Sequence, residues 1–131
     1  MKKQIFLLGA MLTAVSLQAA ELVVITHPSA GAVTKDQVSD VFLGKSQAFT
    51  PIDQAESSAT YADFYKKATG RDVPQVKSTW SRIVFSGKGQ PPRQLPDSAA
   101  VKKAVAADPK AIGYIDKSAV DGSVKAALSL D

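Results

Sequence analysis

Cysteine is absent from this chain of 131 residues, and histidine occurs once. Without cysteine there is no disulfide framework, no thiolate zinc site and no cysteine nucleophile. A single histidine excludes any multi-histidine metal centre and leaves only an all-carboxylate site open. Catalytic patterns are equally scarce. The chain has no Gly-x-Ser-x-Gly elbow and no Ser-x-x-Lys pair, so two common activated-serine arrangements are missing. It has no P-loop and no dinucleotide glycine fingerprint. His27 is the sole base a Ser-His-acid triad could use, and beside Pro28 it reads as an ordinary loop histidine. No catalytic residue, metal ligand or cofactor is therefore expected. Basic residues are also dispersed, with no run longer than the pairs Lys66–Lys67 and Lys102–Lys103. Nucleic-acid surfaces call for a clustered basic patch, so nucleic acid is not an expected partner.

One stretch alone is long and apolar. Ile5 to Leu17 carries no charge, follows Lys2 and Lys3, and leads into Gln18-Ala19-Ala20. A basic head, a short apolar run and small residues at the end form the pattern of a secretory signal peptide. The run falls short of the ~20 apolar residues that a spanning helix needs. Residues 1–20 are thus expected to be a signal, cleaved after Ala19 or Ala20 and leaving one domain over 21–131. Two of the 16 basic residues lie in that head, so the remaining 14 face 12 acidic ones and the net charge falls to +2. A soluble, exported, periplasmic protein is the expectation.

The rest of the chain alternates strand and helix signals. Leu22–Ile25 is β-branched and apolar, as a buried strand is. Thr34, three residues before Gln37, forms a capping box for a helix with Val38, Val41 and Phe42 on its apolar stripe and Gly44 at its stop. Phe49–Asp53 is a second strand, placed at an edge or near its end by Pro51. Gln54–Ser57 reads as a polar loop. A helix from Ser58 to Thr69 buries Tyr61, Phe64, Tyr65 and Ala68, and Gly70 stops it. Pro74 opens a helix to Phe85 whose core side is Val76, Trp80, Ile83 and Val84. Gly87 to Pro92 breaks regular structure. Asp97 caps a helix over 98–107, and Ala111–Ile115 and Val124–Leu130 are strands. This order predicts an α/β domain with a small, mainly parallel sheet flanked by helices.

Asp53 to Thr60 holds the densest polar chemistry. Ser57, Ser58 and Thr60 cluster where a helix starts just after a strand. A first helical turn offers unpaired N–H groups and partial positive charge, and hydroxyls add donors, so the segment is a candidate oxyanion site. The competing reading is a plain serine cap, and Glu56 would repel an anion. Lys88 and Arg93, in the loop that follows the Pro74 helix, could reach an anion or a protein partner.

Two further runs carry a resemblance. Asp40-Val41-Phe42-Leu43-Gly44-Lys45 is similar to the D-I-F-L-G-K helix end of periplasmic phosphate-binding proteins of ABC importers. Lys110-Ala111-Ile112-Gly113-Tyr114-Ile115 is similar to their G-A-I-G-Y-V strand, and Ser58-Ala59-Thr60 with Phe64 to their S-G-T helix start. The resemblance implies a single lobe of a periplasmic-binding-protein-like (type II) fold, with phosphate or a related oxyanion held at Ser57, Ser58 and Thr60 and a link to phosphate ABC transport. Three positions depart from the family pattern: Gln54 stands where the family has Arg, Glu56 where it has Asp, and Ala59 where it has the Gly that lets backbone approach the ligand. The bidentate guanidinium clamp is therefore missing, and binding by the monomer should be weak. A homodimer, or a periplasmic or membrane protein partner, would be needed to cover the open face, through loops around His27, Ser57 and Lys88. The alternative is an interaction or adaptor module that keeps the lobe without binding a ligand.

Overall fold

The computed structural model describes residues 21–130. The signal-peptide reading, which falls on residues 1–20, lies outside them. The chain runs β1 (Leu22–Thr26), α1 (Lys35–Phe42), β2 (Thr50–Gln54), α2 (Ala59–Thr69), α3 (Val73–Phe85), β3 (Arg93–Leu95), α4 (Ser98–Ala106), β4 (Ala111–Asp116) and β5 (Lys125–Ser129), with a short 3₁₀ turn at Lys117–Ala119. The five strands form one sheet in the order β3-β2-β4-β1-β5.

Local chemistry accounts for most element ends. Thr34 Oγ1 accepts from the Gln37 N–H at 3.1 Å, and Gln37 Oε1 accepts from the Thr34 N–H at 2.8 Å, closing the capping box expected before α1. Asp72 and Gln75 close an equivalent box before α3, a start signal additional to Pro74. Gly44 follows α1 with φ 79°, and a Cβ there would lie 2.6 Å from Ile83 Cδ1. Glycine serves both needs at once: the left-handed turn and the close approach to α3.

The sheet is not mainly parallel. β2 runs parallel to β3 and to β4, whereas β1 runs antiparallel to β4 and to β5. Alternation of helix and strand fixes crossovers for β2, β3 and β4. It leaves open the direction of β1, which takes an inner place between β4 and β5 before any crossover. β3 carries no strand signal in the sequence because it has three residues, two of them exposed, and no apolar pattern. Pro51 sits on an inner strand, but β3 pairs only from Ile52 onward, so proline meets no ladder on that side.

Both faces of the sheet are covered. β1 is buried at all five positions, and its side chains alternate between the two layers. Leu22 and Val24 join Phe42, Phe64, Tyr65, Trp80 and Tyr114 under α1, α2 and α3. Val23 and Ile25 join Ile52, Val101, Val105 and Ile115 under α4. The buried stripes of α1 and α2 are those expected from their spacing. α3 differs. Val76 and Trp80 are buried, but Val84 is 42% exposed and does not belong to its core side. It follows Trp80 by one turn and lines an open cleft instead.

Candidate functional site

The site grows from the carboxyl end of β2. Pleating sends Asp53 and Gln54 to opposite faces, and both are buried, at 2% and 3% exposure. Gln54 is therefore the last residue of a strand rather than part of a polar loop. Its Nε2 donates to the Tyr114 carbonyl at 3.0 Å and to Ser98 Oγ at 3.1 Å, and its backbone N–H donates to the Tyr114 hydroxyl at 3.1 Å. That hydroxyl donates in turn to Asp53 Oδ1 at 2.8 Å, and the Tyr65 hydroxyl donates to Oδ2 at 2.9 Å. Burial pushes the Asp53 carboxyl up to about 7, and the two tyrosine bonds only partly oppose it. Burial, followed by the nearby Asp53 charge, also raises Tyr65 and Tyr114 well above the usual phenol range, and Tyr61 to about 12.

Beyond Gln54 the chain turns into α2. The Ser58 N–H donates to the Ala55 carbonyl at 2.9 Å, and Ser58 Oγ accepts from the Tyr61 N–H at 3.2 Å, capping the helix. Ala59 and Thr60 occupy the first turn, where backbone N–H groups have no carbonyl of their own helix to bond. Ser57 is exposed, while Ser58 and Thr60 are half-buried. Glu56 is turned onto Lys77, Oε2 to Nζ 2.6 Å, so its charge is neutralised beside the helix start rather than aimed at it.

Against this segment lies an open cleft of about 440 Å³, walled by Tyr61, Trp80, Val84, Phe85, Pro91 and Pro92. Asp53, Glu56 and Lys77 also border it. Trp80 is held from behind, its indole N–H donating to the Phe42 carbonyl at 3.0 Å. Phe85 is 95% exposed. The helical spacing puts Trp80 in the core, which its 9% exposure supports, but does not show that one edge of it lines a cleft. The strand pattern marks Tyr114 as packing alone, whereas its hydroxyl also bonds Asp53 and Gln54. Nothing in the spacing signals that Asp53 lies buried between two tyrosine hydroxyls, because those partners come from β4 and α2.

The structure gathers Ser57, Ser58 and Thr60 at one helix start, beside the cleft. It does not bring the other candidates there. β1 runs antiparallel to β4, with Thr26 opposite Ile112, and β2 runs parallel to β4, with Thr50 opposite Ala111. His27 therefore follows β1 at the end of the sheet where β2 begins, opposite the end where Ser57 lies. There His27 Nδ1 lies 2.8 Å from Ser29 Oγ and accepts from the Ser29 N–H at 3.1 Å. Lys88 lies beside Gly44, Phe49 and Pro51, and Arg93 beside Thr50, Pro51 and Asp108, at that same far end. The three loops around His27, Ser57 and Lys88 do not share one face.

A sheet covered on both sides, with a helix opening from the carboxyl end of a parallel strand pair, is an α/β fold similar to a single lobe of periplasmic binding proteins. The chain matches no protein-family model and no curated protein sequence. Among solved structures it is similar to an ABC-type phosphate transport receptor from Vibrio cholerae, with 20% identity and TM-score 0.62 over 82% of this chain and 45% of that one. It is likewise similar to a protein from Clostridium perfringens described as a phosphate ABC transporter substrate-binding protein and solved with bound phosphate. That match has 22% identity and TM-score 0.64 over 82% of this chain and 44% of the other. The chain spans less than half the length of either, and at these identities the likeness is one of fold. No helix among the described residues is long and apolar enough to cross a membrane.

Proposed function

We propose that this chain is an exported, periplasmic, non-catalytic lobe that binds an oxyanion of the phosphate class at the start of α2, in the setting of phosphate ABC transport. The donors are the hydroxyls of Ser57, Ser58 and Thr60 and the first-turn N–H groups of Ala59 and Thr60. The observation that carries the reading is the place of that helix start. It opens directly off the carboxyl end of β2, next to the parallel β4, where open α/β sheets hold ligands. The Glu56–Lys77 pair supports it by removing the repulsion that Glu56 would exert. Gln54 limits it, because its amide is bonded internally and supplies no cation. An exposed helix start offers an anion only about 0.3–1 kcal/mol, and each hydroxyl bond about 0.5–1.5. A millimolar complex already needs about 4 kcal/mol, so the expected affinity of the monomer is millimolar or weaker.

Calorimetric titration with phosphate tests this. The double variant Ser58→Ala, Thr60→Ala should abolish the heat of binding and keep a cooperative melt. Unchanged affinity in that variant would remove the site from α2. Gln54→Arg should tighten binding roughly tenfold to a hundredfold if the guanidinium reaches the anion.

A second reading, an interaction module without a ligand, is favoured by a different observation: the exposed Phe85 beside an apolar cleft. A complete absence of phosphate binding, with a protein partner found instead, would select it.

A further inference from the structure

Among the described residues, Val84 and Phe85 are the large apolar side chains left exposed, at 42% and 95%. Both sit in the last turn of α3 and themselves wall the cleft of about 440 Å³, together with Trp80, Tyr61, Pro91 and Pro92. An exposed aromatic side chain and the open apolar cleft it borders thus share one face. A patch that carries both complementary shapes is what a two-fold interface requires, since residue i of one copy meets residue j of the other and the reverse.

We propose that this face pairs with a second copy of the same chain, Phe85 of each copy seated in the cleft of the other. The polar groups around the cleft argue against a small charged ligand there. Both Asp53 oxygens already accept from tyrosine hydroxyls, and Glu56 already holds Lys77. The rim carries one base and one acid, Lys77 and Glu56, 56% and 42% exposed. A two-fold can exchange that pair between copies without setting like charges together, whereas an acidic or basic partner would be matched by a rim of one sign. An aromatic anchor desolvated in an apolar pocket and ringed by polar residues is also the usual form of an interface hot spot. Glu56 and Tyr61 flank Ser57–Thr60, so the second copy would shield that helix start as well. The pairing itself does not depend on an anion being bound there.

The test is sedimentation of the purified protein in phosphate-free buffer, over micromolar to millimolar concentration, with Trp80 emission read in parallel. The chain has one tryptophan, so that emission reports the surroundings of the residue that walls the cleft. The expected result is a monomer–dimer equilibrium with a Trp80 emission shift that follows it. Phe85→Asp should weaken association at least about thirtyfold, with an unchanged circular dichroism spectrum and, at concentrations where both proteins are monomeric, an unchanged melting temperature, because the side chain is exposed. Ser81→Arg, which crowds the cleft wall while keeping the Phe85 side chain, should weaken it too. A protein that stays monomeric throughout overturns the proposal. So does a dimer that survives Phe85→Asp, or one whose formation leaves Trp80 emission unmoved. A dimer that forms but binds no phosphate would count against the anion reading and leave this one standing.

Discussion

The two faces of the sheet are built from different materials. Under α1, α2 and α3 the core is aromatic and encloses a carboxyl group: Phe64 stacks on Tyr114 at 3.8 Å with the rings 4° apart, Phe42 meets Phe64 edge-on at 4.7 Å, and Asp53 is held between Tyr65 and Tyr114. Under α4 the buried core is aliphatic, chiefly Val23, Ile25, Ile52, Val101, Val105 and Ile115. The difference follows from what each face must do. The α4 layer is packed by shape, with polar contact confined to its edge, where Ser98 accepts from Gln54 Nε2 and the Asp116 N–H. The aromatic layer also has to aim the end of β2 at the start of α2, and hydroxyl-tipped rings can be packed and hydrogen-bonded at once. Tyr114 does both, which makes the candidate site depend on the aromatic face far more than on the other.

The sharpest way to break this asymmetry is Tyr114→Ala. It removes the stacked ring and leaves Asp53 Oδ1 and the Gln54 N–H without their partner. Truncating a buried aromatic costs about 3–5 kcal/mol, and the stranded polar groups add to that. Denaturant unfolding should show a loss at the top of this range. Tyr114→Phe, which keeps the ring, should lose clearly less.

The second effect is on pH. Asp53 binds its proton more tightly in the folded protein, where it titrates near 7, than unfolded, near 3.8. Between those values the native state holds more protons, so stability falls as pH rises from about 4 to about 7 and then levels off. The Asp53 contribution should amount to a few kcal/mol over that window. Asp53→Asn should flatten the slope, as read from urea midpoints at pH 5 and pH 8. An equally steep slope in that variant would assign the dependence to other groups.

A smaller effect is expected from the aliphatic face. A Cβ at Gly113 would lie 2.6 Å from Val101 Cγ1 and 3.4 Å from Val105 Cγ2. Gly113→Ala should cost about 1–3 kcal/mol through overpacking. Val101→Ala removes the atom it meets, so the double variant should be more stable than the two single losses predict by addition. The smallest change is Ser58→Ala, which removes the α2 cap and should cost about 1 kcal/mol in thermal unfolding.

What is legible in the amino-acid sequence follows the range of the interactions involved. Helix limits rest on neighbours three or four residues apart, so Thr34 with Gln37, and Ser58 before Tyr61, stand out from spacing alone. The buried stripe of α2 is legible for the same reason. Strand direction is not, because β1 meets partners at the far end of the chain. Nor is the Asp53–Tyr65–Tyr114 cluster, whose members come from three elements and show no spacing rule. Val84 falls on the apolar stripe of α3 and yet stays exposed, as does Phe85 beside it. Periodicity locates a stripe but cannot tell whether a neighbour arrives to cover its flank. The far placement of His27 and Lys88 is hidden for the same reason as the direction of β1.

That central position of β1 bears on the order in which the molecule can assemble. Leu22 pairs with Asp116 and Val23 with Ser129, so the first strand is sandwiched between the last two. A chain delivered from its amino end must hold the Leu22–Thr26 ribbon unpaired until nearly everything else has emerged. Four of its five residues are apolar, so that ribbon is sticky while it waits. Pairing β1 with β4 and β5 thus spans almost the whole described chain, and contacts of such long sequence separation are the ones that slow folding.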